Sequence, residues 1–387
     1  MVTAAQPLST ASVLRTERVR HLGPNWYAAV MGTAILGSAG VALPVHATGL
    51  RDVFAGAWAL SLIMLVALLA ARTVRWVHHR DRARADLLDP ATAPFYGCLS
   101  MALLAVGGGA LTAGRALIGT GTAVALDAVL FTAGTAVGLA AAVAVPYLMA
   151  VRHRVEPAQA SPAWLLPLVA PMVSAALGPL LVPYLPAGQP RETLLLGCLA
   201  LFGLSLLATL LMLSLVFARL VSGPLPLALT PTLFLVLGPL GQSTTAVGKI
   251  ADGAPGVVPA ADARGLAVFA VLYGVPVMGF ALLWLALATA HVVRARRQGM
   301  RFTMSWWAFT FPVGTCVTGA TALARHTGLA VYDALAVGLY ALLAAAWLAA
   351  ATGTVRGLLS GELLAAPRTA PVAPRPETGR TRSDAAR

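Results

Sequence analysis

The chain has 387 residues, of which 58% are hydrophobic and only 11% charged. A soluble domain carries about 25% charged residues, so the composition excludes a soluble enzyme or binding module and implies a membrane protein. The net charge of +13 rests almost wholly on arginine, with Lys249 the single lysine; in a soluble chain this balance would suggest nucleic acid, but here the charges fall in short loops and tails, where they orient helices, and no nucleic-acid partner is expected.

The first segment, 1–22, carries Arg15, Arg18 and Arg20 and no signal-peptide core, so it reads as an uncleaved cytoplasmic segment. A membrane crossing takes about 20 apolar residues. Ten stretches qualify: 25–44, 53–77, 94–114, 124–150, 162–184, 192–218, 226–249, 263–293, 304–324 and 329–355. They define an all-α polytopic membrane domain over residues 23–357. A tail at 358–387, rich in Pro, Ala and Arg from Ala365 onward, is expected to be disordered and cytoplasmic. With the N-terminus inside, 21 basic residues fall in inner segments and 6 outside, namely Arg51, Arg115, Arg191, Lys249, Arg264 and Arg325. That is the positive-inside distribution, and it predicts a multi-pass plasma-membrane protein with both termini cytoplasmic.

Helix breakers are unevenly spread. The odd stretches hold Gly32, Gly37 and Gly40; Gly107, Gly108 and Gly109; Pro167, Pro171, Gly178 and Pro179; Pro231, Gly238, Pro239 and Gly241; and Pro312 with Gly314. Among the even stretches the second, sixth and tenth have no proline, and the fourth and eighth have one each, Pro146 and Pro276. The recurrence predicts ten helices as five repeated hairpins. Broken backbone at membrane depth needs cover from protein or a water-filled cavity, so the odd helices are expected to form an inner ring around a pore, with the even helices facing lipid. The plainer alternative is that Gly and Pro are simply common in transmembrane helices.

No acidic or basic residue falls clearly in the centre of a stretch; Asp127, Asp262 and Asp333 lie near starts, Lys249 and Asp252 near an end. This argues against a carboxylate relay and predicts a path lined by small and polar groups. The candidates are Gly32, Thr33, Gly37, Ser38, Gly108, Pro171, Ser174, Gly238, Pro239, Gln242, Ser243, Thr244, Gly314, Thr315 and Thr318. Each hydroxyl has a competing role, bonding a carbonyl of its own helix. Cys98, Cys198 and Cys316 are isolated and imply neither disulfide nor metal, and no cofactor is expected. His78 and His79 sit in the basic linker VHHRDRARAD and read as a solvated loop; Gly107–Gly109 lacks the GK[ST] continuation of a phosphate loop and reads as a site of close helix contact. Arg325 and His326 could concentrate anions at an outer mouth. Trp26, Trp76, Trp164 and Trp306 fit a membrane–water belt.

Three segments, GPNWYAAVMGTAILG (23–37), LGPLGQS (237–243) and SWWAFTFPVGT (305–315), resemble the first, seventh and ninth helices of the tellurite-resistance/dicarboxylate transporter family. That family includes TehA-type proteins, the fungal malate permease and sulfite pump, and plant slow-type anion channels. The resemblance implies a ten-helix protomer with its own pore, commonly a homotrimer, and a small-anion substrate. It also implies a gate: a phenylalanine of the ninth helix blocks the pore, here Phe311 before Pro312, with Phe309 as runner-up. Without the resemblance both rings read as core packing.

The expected function is therefore membrane transport of small anions of the sulfite, C4-dicarboxylate or tellurite class. A proton-coupled carrier of organic acids such as malate is the alternative, and a polytopic membrane enzyme a remote one. The lack of a buried arginine able to clamp two carboxylates favours a small inorganic or singly charged anion.

Overall fold

The computed structural model describes residues 20–364, apart from 46, 154, 157, 158 and 224. Arg15, Arg18 and the tail from Ala365 lie outside the described residues. No strand occurs among the described residues. In chain order the main helices are α1 (Tyr27–Val41), α2 (Leu50–His78), α3 (Arg80–Leu88), α4 (Gly97–Gly109), α5 (Thr120–Leu148), α6 (Leu165–Leu177), α7 (Gln189–Ser222), α8 (Leu237–Gly253), α9 (Ala260–Arg297), α10 (Phe311–Thr327) and α11 (Ala330–Leu359). Each predicted stretch coincides with a helical segment. The short α3 was not predicted, because RDRARADLL is too polar to register as a span.

Seven segments among the described residues are long and apolar enough to cross a membrane. They are α2, α5, α7, α9 and α11, together with the segments Ala93–Ile118 and Pro162–Tyr184, which contain α4 and α6. Of the four other helices, α3 is the short polar one, and α1, α8 and α10 have only 15, 17 and 17 residues. A 3-10 run precedes each of these last three: Pro24–Trp26, Leu227–Val236 and Met304–Phe309. The same device opens α4 and α6, at Ala93–Tyr96 and Pro162–Trp164. Proline suits these opening turns, because its missing N–H has no helical partner there. The predicted contrast between stretches is therefore real but differently placed. Each odd stretch begins with a tight, irregular turn, whereas each even one is a long helix.

Burial follows the same division. The most apolar windows of α2, α5, α7, α9 and α11 are only 22–28% buried, against 72% for Ala93–Ile118 and 89% for Pro162–Tyr184. Helix α1 packs on α4, α4 on α6, α6 on α8, α8 on α10, and α10 back on α1. Each also packs on the long helix that follows it in the chain. At each of these five reversals stands a glycine in the left-handed region: Gly49, Gly119, Gly188, Gly256 and Gly328, with φ between 69° and 91°. A side chain there would cost steric strain. Inner irregularity is met by outer side chains. Trp58 Nε1 donates to Val106 O at 3.0 Å, Trp284 Nε1 to Leu233 O at 2.9 Å, and Tyr340 Oη to Leu36 O at 3.0 Å. Each ties a carbonyl of a short-helix segment to one of the long helices.

Three expectations need correction. Trp26 and Trp164 are buried at the 3-10 openings, 9% and 7% exposed, and do not form a lipid-facing belt. Buried arginines exist: Arg72 and Arg75 are 5% and 2% exposed. They are structural, since Arg72 donates to Leu22 O, while Arg75 donates to Arg20 O and pairs with Asp86 of α3. Finally, Asp127 is not peripheral. It lies two turns inside α5, 1% exposed, against Gly107, and both carboxyl oxygens lack a hydrogen-bond partner.

Candidate functional site

All five short inner helices contribute to one cavity of about 80 Å³, room for a handful of waters or a small anion. Each presents a row with spacing i, i+3, i+7, which is one face of a helix. The rows are Ile35 and Ser38 on α1 with Ala42 at its C-cap; Ala105 and Gly108 on α4 with Thr112 in the π-helical turn Ala110–Gly114 that continues it; and Val173 and Ala176 on α6 with Leu180 in the 3-10 run Gly178–Tyr184 that follows. Helix α8 contributes Gln242, Thr245 and Lys249, and α10 contributes Thr318, Thr321 and Arg325, with Phe311 seven residues before Thr318. Phe311 is 2% exposed. From Phe311 to Arg325 the helix rises on the order of 20 Å, so the ring stands at one end and the cations at the other.

Pro312 falls in the first turn of α10, directly after the 3-10 run. It thus sets where the α-helix begins, which corrects the reading of a breaker inside a continuous helix. Phe309, two residues earlier, belongs to an aromatic cluster. It meets Phe234 edge-on at 4.8 Å and Trp306 at 5.8 Å. It does not line the cavity.

Several predicted liners turn elsewhere. Thr33 donates to Ala29 O at 2.8 Å and accepts from Trp347 Nε1 at 3.0 Å. Ser174 accepts from Thr135 Oγ1 at 2.9 Å. Ser243 and Thr244 each donate to Leu240 O, and Thr315 to Pro312 O. Pro171 and Pro239 are buried inside α6 and the first turn of α8. Gly32 lies against Thr310 and Trp307, Gly37 against the Phe54 carbonyl, and Gly314 against Ile35. These glycines allow close packing and do not open a path. Gly238 is buried with nothing within 4 Å of where a side chain would begin. Of the candidates, Ser38, Gly108, Gln242, Thr318 and Phe311 line the cavity. The triple glycine serves three neighbours at once: Asp127, Leu177 and Trp58.

The hydroxyls that do face the cavity have largely spent their protons. Ser38 donates to Ala34 O, Thr112 to Gly108 O, Thr318 to Thr315 O and Thr321 to Thr318 O, at 2.9–3.1 Å. Thr245 and Thr318 also meet, Oγ1 to Oγ1, at 2.7 Å. A hydroxyl that donates to backbone offers only lone pairs to the cavity, and lone pairs repel an anion. The remaining donors are the Gln242 carboxamide, Lys249 and Arg325. Gln242 is 3% exposed, and its Oε1 has no partner. Sequence reasoning missed Thr245, Lys249, Thr321 and Arg325 as liners; their i, i+3, i+7 spacing was the available signal.

Beyond the cavity, at the end predicted to be cytoplasmic, lies a vestibule of about 700 Å³. Arg20, His21, Arg75, Arg82 and Arg301 line it, with Asp86 and Glu362. Its excess of positive charge raises the local concentration of anions. Among the described residues no cluster of three or more potential metal ligands occurs.

An all-helical membrane body with a narrow internal cavity and a basic vestibule defines a channel or transporter. Residues 21–355 match the family described as voltage-dependent anion channel, and the chain belongs to that family, as its resemblance in three segments implied. It is 26% identical to an uncharacterized transporter of Methanocaldococcus jannaschii, covering 89% of this chain and 96% of the relative. It is also 26% identical to a sulfite efflux pump of Arthroderma otae, over 85% and 88% of the two chains. A sulfite efflux pump of Trichophyton rubrum matches at 26%, over 82% and 85%.

Proposed function

We propose that this protein moves small anions across the plasma membrane through a path in each protomer, closed by the ring of Phe311. The reading rests on one observation: five helices share a single cavity with Phe311 at its end. In this reading the ten helical segments cross the bilayer as five hairpins. Helices α1, α4, α6, α8 and α10 ring the path, the long helices face lipid, both termini are cytoplasmic, and protomers assemble as a homotrimer. A phenyl ring across a narrow path blocks an ion sterically and keeps water out. Sulfite is the first substrate to test, because two relatives are sulfite efflux pumps. The scarcity of donors in the cavity supports weak binding, which conduction requires.

The test is flux in vesicles reconstituted with the purified protein, comparing sulfite, nitrate, chloride and malate. Saturable sulfite flux is expected. Vesicles no more permeable to any of these anions than protein-free controls would end the reading. Cysteine scanning tests the path: Ser38→Cys, Gly108→Cys and Thr318→Cys should react with small water-soluble thiol reagents in the Phe311→Ala background. Cysteines at Val129, Leu207 and Leu342, exposed on the long helices, should be shielded by lipid. Equal labelling of both sets would remove the path.

A further inference from the structure

Lys249 is the single lysine of the chain. It lines the cavity on α8, two turns above Gln242. It makes no hydrogen bond or ion pair with the described residues. The nearby carboxylate, Asp252, is engaged: Arg325 Nη2 reaches its Oδ2 at 3.0 Å and His326 Nε2 its Oδ1 at 3.2 Å. Arg325 is thus held in direct contact with a fixed anion, whereas Asp252 acts on Lys249 only through space and is opposed there by the Arg325 charge. An ammonium in a confined, partly desolvated site is costly without a counter-charge. The opposite walls, with Val173, Leu177, Leu180 and Ala42, supply none. The cavity hydroxyls offer lone pairs but carry no charge, so they cannot neutralise it.

We propose that Lys249 Nζ is the centre of an anion subsite beyond Phe311, taking a small, singly charged oxyanion such as hydrogensulfite or nitrate as its counter-ion. The Gln242 carboxamide, buried and lining the cavity, carries an NH2 that offers a neutral donor between Phe311 and that subsite. One unpaired cation sets the preference. A monoanion neutralises it, whereas a dicarboxylate would bring a second charge into a wall that has no free partner. The proposal deepens the transport reading and rests on it for the role of the site, but binding at Lys249 can be measured without transport.

A single lysine makes the probe selective. Reductive methylation of the purified, detergent-solubilised protein with [13C]formaldehyde gives one dimethyl-lysine resonance besides the terminal amine. Its loss in Lys249→Arg assigns it. Titration with sodium hydrogensulfite and nitrate at constant ionic strength, with gluconate as the bulky balancing anion, should shift this resonance saturably. Malate should shift it less. In vesicles, Lys249→Gln should raise the KM for sulfite at least about tenfold, and Lys249→Arg should restore most of the loss. Size-exclusion profiles and thermal melts check that both variants fold. An unmoved resonance, or an unchanged KM in Lys249→Gln, overturns the subsite. A saturable shift in protein that carries no flux would leave the subsite standing and remove the transport reading. Flux without a shift would do the reverse.

Discussion

The two sides of the cavity are built on different principles. On α8 and α10, Gln242, Thr245 and Lys249 face Thr318, Thr321 and Arg325. On α1, α4 and α6 the rows are Ile35, Ala42, Ala105, Gly108, Val173 and Leu177, with Ser38 and Thr112 the only hydroxyls. The polar side is itself tightly packed. Thr245 and Thr318 join at 2.7 Å, and a side chain at Gly241 would collide with the backbone of Thr315 and Cys316. In the proposed transport reading, a polar rail opposite a smooth apolar wall would meet a small ion on one side only, which keeps binding weak enough for release.

The largest effect should come from the apolar ring at the foot of the polar rail. Phe311→Ala should raise anion conductance at least about tenfold, because it removes a steric and dewetting barrier. Phe309→Ala, taken from an aromatic cluster, should instead lower stability by about 3 kcal/mol and give no open currents. Recordings and melts on both variants decide between them. Open currents from Phe309→Ala would move the gate.

Where the two polar helices touch, Gly241→Ala should destabilise by about 1–3 kcal/mol through overpacking, seen as a lower melting temperature in detergent. An unchanged melt would mean that this contact is loose. Breaking the hydroxyl pair is milder: Thr318→Val should cost roughly 1 kcal/mol and leave the KM for sulfite within about twofold, with the fold intact. On the apolar side Leu177→Met should leave flux within about twofold, an effect near 0.5 kcal/mol. A larger change there would show that both walls read the ion. The smallest effect is expected at Asp127, which lies behind α4 against Gly107 and does not line the cavity. Asp127→Asn should leave flux within about twofold, while a hundredfold loss would expose a proton relay.

Apolar runs made the helices legible, since a span registers as a long stretch whatever way it is turned. The rotation of a helix about its axis did not register. Thr33 and Ser174 carry the residue types of pore liners, yet they serve Trp347 and Thr135. Lys249 was read as a helix end, although its seven-residue distance from Gln242 places both on one face. The short α3 was hidden by its charge. Phe311 and Phe309 could be separated only by three-dimensional contacts, since nothing in SWWAFTFPVGT itself distinguishes a ring that meets Phe234 from one that lines a cavity.

The return contact of α10 on α1 has a consequence for synthesis. Every other neighbour in the cycle is the next inner helix along the chain, whereas this one joins the first to the last. The bonds that tie α11 to α1, from Tyr340 to Leu36 and from Trp347 to Thr33, cross 304 and 314 positions. Each hairpin can fold as it emerges from the ribosome, its reversal set by a local glycine. The cavity cannot. Until the ninth segment is made, the apolar and polar walls have no closing partner, so a ribosome-stalled chain ending before α10 should hold formed hairpins with an open groove. Contacts of such long separation form slowly, which makes ring closure the step most exposed to misassembly.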